Sequence, residues 1–363
     1  MPAAASESAH CTPVSGRVVL CRAGFEGEAA GELAAAAAAA GLSGFARASS
    51  GSGVARFELH DVTTQNALEA ATPWPRLIFA RTAWSLHASV QALPTHDRVT
   101  PLLHAVQTHG QHYAQILVEH ADSDSGRELS ALARTLAPPL RSALQRAGVL
   151  HAQAARDLYV LLSAGDAALL CSAARGAASP WPGGIPRLRF PSAAPSRSTL
   201  KLEEALLVLL DERERERWLR PGMRAVDLGA APGGWTYQLV RRSIHVTAVD
   251  NGPMQPALLE SGLVEHLRSD GFRWRPGKPV DWLVCDMVEQ PRRVAALIAA
   301  WLRDGACRRA LFNLKLPMKK RREEVLLCLD LLHAAVPGIE LRARQLHHDR
   351  EEITVLALPP SAR

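Results

Sequence analysis

Lysine is nearly missing from this chain. Only Lys201, Lys278, Lys315, Lys319 and Lys320 stand among its 42 basic residues, and the first 200 residues contain none. A composition that leans so far toward arginine makes each lysine a question. Paired cysteines are lacking too: Cys11, Cys21, Cys171, Cys285, Cys307 and Cys328 are scattered, with no Cys-x-x-Cys pair. That spacing argues against a disulfide framework and, with no histidine cluster beside it, against a zinc site. Ordinary thiols in a reduced, cytoplasmic protein are the expectation, with no metal. The N-terminal stretch has no charged segment followed by an apolar core, so no secretory leader is expected. The run Ala34–Ala40 is too short to span a bilayer and reads as a small-residue helix, so no membrane association is expected either.

What is present fits a two-domain globular protein. The 363 residues exceed one typical domain, and 47% hydrophobic with 21% charged residues is enough to bury real cores. The net charge of +6 is a mild basic excess, compatible with a nucleic-acid or other polyanionic partner without establishing one.

The first half mixes strands and helices. Strand signals fall at Arg17–Cys21, Gly53–Leu59, Ser85–Gln91, Tyr113–Val118 and Leu158–Leu162, with helical stretches at Glu26–Ala40 and Thr64–Ala71. Ser125–Ala147 has helical spacing interrupted by Pro138 and Pro139. This is an α+β pattern. The stretch WPGGIPRLRFPSAAPSR from Trp181 to Arg197 reads as an ordered connector, with Leu188 and Phe190 as anchors, and puts a domain boundary near residue 190. Residues 1–190 and 191–363 are thus the expected domains.

The second half alternates. Strands are expected at Arg224–Leu228, Val246–Asp250, Trp282–Asp286 and Ala310–Lys315, with helices from about Trp235, over Arg292–Leu302 and over Arg321–Ala335. Glu340–Leu346 and Glu352–Leu358 close as an antiparallel hairpin. Alternating βα units predict a parallel, Rossmann-like α/β sheet covered by helices.

The sharpest local signal is Val226-Asp-Leu-Gly-Ala-Ala-Pro-Gly-Gly-Trp235, a strand entering a glycine turn and a helix. A dinucleotide fold would show G-x-G-x-x-G and leave an anion at the helix start. This turn has no such spacing, and Asp227 suits a ligand with positive charge, which favours the amino-acid moiety of S-adenosylmethionine over a pyrophosphate. A plain strand-to-helix turn is the alternative. Asp250 ends the next strand, where such folds place an acid on ribose hydroxyls, and Asp270 in RSDG is placed to accept from an adenine amino group.

The lysines now matter. Asp286 and Lys315 each end a strand, and in a parallel sheet the carboxyl ends share one crevice. Taking a proton from a sugar hydroxyl needs a base, and arginine stays protonated. Lysine serves if another cation and desolvation lower its pKa. The plainer alternative is that Lys315 simply pairs with Asp286.

Lys201, Asp286, Lys315 and Glu352 resemble the K-D-K-E tetrad of ribose 2′-O-methyltransferases that use S-adenosylmethionine. The segments GIPRLRFPSAAPSRSTLKLEEA, VDLGAAPGGWTYQLV, VDNGPM, FNLKLPMKKR and QLHHDREEITV are similar to the bacterial RlmM family, as are VVLCRAGFEGEAA and PRLIFARTAWSLHASVQALPTHDRVTPLL in the first half. The resemblance implies a THUMP-like RNA-binding module joined to a Rossmann-like domain that methylates a cytidine ribose in 23S ribosomal RNA. It further implies that Ser198, Ala231, Pro232, Gly233, Gly234, Asp250, Asp270 and Asp286 contact S-adenosylmethionine, and that Lys315 accepts the proton. Lys201 would depress the Lys315 pKa, Asp286 would orient Lys315, and Glu352 rather than Glu351 would complete the tetrad. Free or early-assembly rRNA is the expected partner; the oligomeric state is left open.

Other signals point elsewhere or nowhere. Alternation turns Cys285 away from Asp286, which makes it a packing thiol. Adjacent His347 and His348 suit a loop near RNA better than a metal. Lys319-Lys-Arg-Arg322 is a candidate phosphate contact on the rim of the crevice. Methylation of an RNA base, and an inactive RNA-binding module, are the alternative functions.

Overall fold

Two seven-stranded sheets organise the chain, one largely antiparallel and one largely parallel. The structure, a computed structural model, describes residues 9–360. The expectation of no secretory leader falls partly on residues 1–8, outside the described residues. Two compact units divide between Pro186 and Arg187.

The first unit runs β1 (His10–Leu20), α1 (Glu26–Ala39), β2 (Gly44–Ala48), β3 (Val54–Leu59), α2 (Gln65–Ala71), β4 (Thr82–Gln91), α3 (Val99–His109), β5 (Ile116–His120), α4 (Asp124–Glu128), α5 (Ser130–Arg146), β6 (Arg156–Ala164) and β7 (Ala167–Ala174). Its sheet order is β2-β3-β1-β4-β7-β6-β5, antiparallel except for β5 beside β6. β1 starts well before the apolar run that announces it, because His10 to Pro13 pair with β4. β7 lies between β4 and β6 although its sequence, AALLCSAA, has little β propensity; pairing on both sides holds it.

One helix was not read from the sequence, and another runs on where its pattern was interrupted. α3 closes on Gly110, whose φ of 69° supplies the left-handed cap. α5 continues through Pro138 and Pro139 instead of breaking there. The two carbonyls that lose a donor, those of Arg134 and Thr135, belong to exposed residues, so water can take the missing bonds. In the connector, Ile185 is the buried anchor, while Phe190 is 47% exposed.

The second unit runs α6 (Thr199–Leu209), α7 (Glu212–Trp218), β8 (Arg224–Leu228), α8 (Gly234–Val240), β9 (His245–Val249), α9 (Pro256–Leu259), β10 (Val264–Leu267), β11 (Val280–Cys285), α10 (Pro291–Arg303), β12 (Cys307–Lys315), α11 (Arg321–Ala335), β13 (Glu340–Arg344) and β14 (Glu352–Leu358). The order is β10-β9-β8-β11-β12-β14-β13. β8 to β12 are parallel, and β14 inserts antiparallel between β12 and β13. The chain thus steps outward from β8 to β10 and then returns to the other side of β8. Between β8 and β11 lies the switch point, where doubly wound sheets leave a crevice. Near-continuous apolar strands such as Leu283–Val284–Cys285 fill the interior, and a core of Leu206, Trp235, Trp282 and Leu311 holds the sheet against its helices.

Candidate active site

Sheet register places the charged residues before any side chain is considered. Lys315, the last residue of β12, lies directly opposite Glu352, the first of β14. Asp286 follows β11, the neighbour of β12 on its other side. Lys201 enters from the first turn of α6. The four side chains close a ring of alternating charge. Lys201 Nζ lies 2.5 Å from Glu352 Oε1 and 3.3 Å from Asp286 Oδ2. Lys315 Nζ lies 2.7 Å from Asp286 Oδ1 and also donates to Glu352 Oε2. Two ammonium groups facing two carboxylates make the ring neutral overall, which lets it sit largely out of water. Glu351 instead points outward and pairs with Arg321 at 3.0 Å.

One electrostatic expectation is reversed. Burial pushes the Lys315 ammonium toward losing its proton, but the charges and hydrogen bonds of Asp286 and Glu352 outweigh burial and hold its pKa well above the ordinary lysine value. Lys201 shares the same two carboxylates with Lys315.

Beside the ring lies a cleft of about 400 Å³, lined by Gly229, Ala231, Asp250, Asp270, Met287 and Glu289 among others, with Asp286 common to both. That volume falls within the roughly 300–1,000 Å³ of small-molecule sites. Asp250 is fixed by two backbone donors, Ala231 N at 3.0 Å and Gly252 N at 2.7 Å. Asp270 accepts from Phe272 N at 2.9 Å. The lining includes four carboxylates and no Lys, Arg or His. Such a set of acceptors suits hydroxyl and amino groups and a positive charge, and is wrong for a pyrophosphate. S-adenosylmethionine, cationic at sulfur and at its amino group, fits it.

Of the residues expected at the cofactor, the structure brings Ala231, Asp250, Asp270 and Asp286 to this cleft; Ser198, Pro232, Gly233 and Gly234 are not among its lining residues. The glycines of the turn serve the protein's own packing. A Cβ on Gly234 would stand 2.1 Å from Ser198 Oγ, and one on Gly229 (φ 76°) would stand 2.6 Å from Met287 Cγ. Asp227 lies under the turn, 1% exposed, and accepts from Thr236 Oγ1 at 2.7 Å. Burial pushes its carboxyl up to about 7, and its Oδ1 has no partner among the described residues.

Asn251, Ser269, Phe272, Met287 and Glu289 also line the cleft and were not singled out from sequence. Asn251, Met287 and Glu289 lie within three residues of Asp250 or Asp286, so position after a strand end was the usable signal. Cys285 is fully buried, as expected of a packing thiol. His347 and His348 are in a loop whose amides donate to Glu204 at 2.8 and 2.9 Å. Among the described residues no group of His, Cys, Asp and Glu is arranged to hold a metal, and no helix is long and apolar enough to cross a membrane.

Known families match along most of the chain: RlmM ferredoxin-like domain over residues 14–84, Ribosomal RNA large subunit methyltransferase M, N-terminal, over 97–171, and FtsJ-like methyltransferase over 194–333. The single module expected of the first half is thus described by two domain families. The Ribosomal RNA large subunit methyltransferase M of Xanthomonas euvesicatoria pv. vesicatoria is 51% identical over 349 residues, covering 95% of this chain and 99% of the relative. Its counterpart in Xanthomonas campestris pv. campestris is 51% identical over 351 residues, with the same coverage. Half of all positions kept over nearly the whole length of both chains is decisive: this chain belongs to the ribosomal RNA large subunit methyltransferase M family.

Proposed function

We propose that this methyltransferase transfers a methyl group from S-adenosylmethionine to the 2′-hydroxyl of a cytidine ribose in 23S ribosomal RNA, with Lys315 receiving the hydroxyl proton. The observation that carries the reading is the closed ring of Lys201, Asp286, Lys315 and Glu352 abutting a carboxylate-lined cleft.

When bound, the cofactor supplies a methyl group on a positively charged sulfur. Asp250 would accept from ribose hydroxyls, Asp270 from an amino group, and Asp286 would face positive charge. The remaining work belongs to the chain. A hydroxyl oxygen must approach in line with the methyl, so fixed positions contribute much of the rate. Glu352 and Asp286 hold Lys315 from two sides and fix its Nζ. Asp286 borders both cleft and ring, so positive charge in the cleft competes with Lys315 for this carboxylate and weakens the ammonium's hold on its proton. Lys315 would first release its own proton to solvent and, as the neutral amine, take up the hydroxyl proton as the methyl is transferred, while Lys201 would keep the two carboxylates from regaining sole hold of it.

An amino-group acceptor is less well supported, because the Asp/Asn-Pro-Pro-aromatic signature is missing at Asp286-Met-Val-Glu289. In the same reading, residues 1–190 form a THUMP-like module that grips RNA, and Lys319 to Arg322 contact phosphate. Free rRNA or an early precursor in the cytoplasm is the substrate, since a ribose of the ribosomal core is reached before assembly.

The test is methylation of large-subunit rRNA with labelled S-adenosylmethionine, followed by nucleoside analysis of wild type and Lys315→Ala. A 2′-O-methylcytidine that drops by about 10³-fold or more in the variant is expected. Label on a base, or an undiminished variant, overturns the assignment.

A further inference from the structure

Behind the ring lies a second polar layer, built by the same strand pairing. Asn313 and Thr354 sit opposite each other on β12 and β14, two residues in from Lys315 and Glu352. Side chains two apart share a face, so the Asn313–Thr354 pair lies directly beneath the Lys315–Glu352 pair. Asn313 Nδ2 donates to Asp286 Oδ1 at 3.0 Å. Thr354 Oγ1 lies 2.8 Å from Asn313 Oδ1 and 3.0 Å from Asp349 Oδ2. Asn313, Thr354 and Asp349 are all fully buried.

We propose that Asn313 and Thr354 are positioning residues, and that the chain Asp349–Thr354–Asn313 fixes the Asn313 amide so that its NH₂ holds Asp286 in place between the two lysines. This rests on the reading of Lys201, Asp286, Lys315 and Glu352 as the reacting ring.

The proton count gives the chain a direction. A carboxylate only accepts, so Asn313 must turn its NH₂ to Asp286 and its carbonyl to Thr354. The Thr354 hydroxyl has one proton and gives it to that carbonyl. Its contact with Asp349 is then a hydrogen bond only if Asp349 brings the proton. A neutral Asp349 completes the sequence: its OH donates to Thr354, Thr354 to Asn313, and Asn313 to Asp286. Two features agree. Burial, with Glu352 and Glu204 nearby, raises the Asp349 carboxyl well above the usual range despite the Leu346 amide and Lys201. Asp349 Oδ1 has no partner among the described residues, a costly position for an ionised oxygen. Glu204 closes the loop from outside by accepting from His347 N, His348 N and His348 Nδ1, so the segment delivering Asp349 and Glu352 is tied to the helix that carries Lys201.

Losing the Asn313 bond leaves Asp286 to the lysines alone. The charged groups around Asp286 are Lys201 from α6, Asp227 from β8, Lys315 from β12 and Glu352 from β14, with Asp250, Asp270 and Glu289 lining the same cleft. With one donor gone, Asp286 holds the Lys315 proton more tightly, and the rising limb of the rate moves to higher pH.

The experiment compares Thr354→Val, Thr354→Ser, Asp349→Asn and Asp349→Leu with wild type and Lys315→Ala, by kcat, KM for rRNA, pH–rate profile and Tm. Thr354→Val is expected to lower kcat about tenfold with KM unchanged and the alkaline shift present, and Thr354→Ser to restore both. Asp349→Asn keeps a donor toward Thr354 and is expected to stay within about threefold of wild type, whereas Asp349→Leu falls with Thr354→Val. A folded Thr354→Val with wild-type kcat and pH profile overturns the proposal, as does an Asp349→Asn as impaired as Asp349→Leu. Full activity in Lys315→Ala overturns the ring reading itself, and is told apart because it requires no change at positions 313, 349 or 354.

Discussion

Each unit of this protein buries a small network of charge, and the two are built from different cations. In the first unit Arg17, 2% exposed, donates to the Thr72 carbonyl at 3.1 Å and to Ser85 Oγ, which donates to Glu69 at 2.7 Å. Arg156 completes the cluster, 2.9 Å from Glu69 and 2.9 Å from Ser172 Oγ. In the second unit the cations are Lys201 and Lys315. Guanidinium forks spread over several fixed acceptors and keep their charge: even burial pushes Arg17 down only to about 10. An ammonium is a point charge that can release its proton when its surroundings change. The arginine cluster therefore locks strands and a helix together, and the lysine ring is suited to chemistry. Sheet direction reinforces the difference. Parallel strands deliver their last residues to one edge, whereas antiparallel strands scatter theirs over both.

The comparison breaks most sharply if lysine can be replaced by arginine. Lys315→Arg keeps the charge and the carboxylate partners but cannot yield a proton, so methyl transfer should fall by about 10³-fold or more with Tm little changed. A variant with more than a tenth of wild-type activity would show that charge alone suffices. Next in size, alanine at Lys319, Lys320, Arg321 and Arg322 together should weaken rRNA binding and flatten its dependence on salt, by about 0.7–0.9 in logarithmic slope for each phosphate that is no longer neutralised. An unchanged slope in binding titrations from low to moderate salt removes that surface from the RNA.

The smallest effect concerns the arginine cluster. Glu69→Ala leaves Arg17 and Arg156 without their carboxylate and should cost about 2–3 kcal/mol in denaturant unfolding. The turnover of the folded fraction should stay near wild type, and a loss of turnover without a loss of stability would refute the structural role. A pH series sharpens the point. Burial works to raise the Glu69 pKa, but hydrogen bonds from Ser85 and Arg156 and the two arginine charges outweigh it and hold it below the ordinary value of 4.5. A depressed carboxyl contributes stability above its unfolded pKa and loses it as pH falls through the folded one. Melting in acid below about pH 4.5 should thus be less steep in Glu69→Gln than in wild type.

The second unit was more legible in sequence than the first, for physical reasons. Buried parallel strands are short apolar runs ended by polar residues, so Arg224–Leu228 and Trp282–Asp286 stand out, and Asp286 and Lys315 announce themselves at strand ends. β7 in the first unit is half alanine and owes its form to neighbours far away in sequence. The same holds for α5, whose tandem prolines look like a break until the exposed face on which they lie is known. Asn313 and Thr354 escaped notice because nothing local marks them. Their register with each other does.

By itself the sequence determined the order of the βα units, the glycine turn after β8, and which residue types were present to move a proton. Those follow from local periodicity and from the rarity of lysine, and neither needs a partner across the fold. Only the tertiary structure decided that β14 inserts between β12 and β13, which brings Glu352, already preferred to Glu351 from the sequence, against the lysines. It also decided that Lys315 is held charged rather than depressed, because a pKa depends on every charge within a few ångströms and not on the neighbours along the chain.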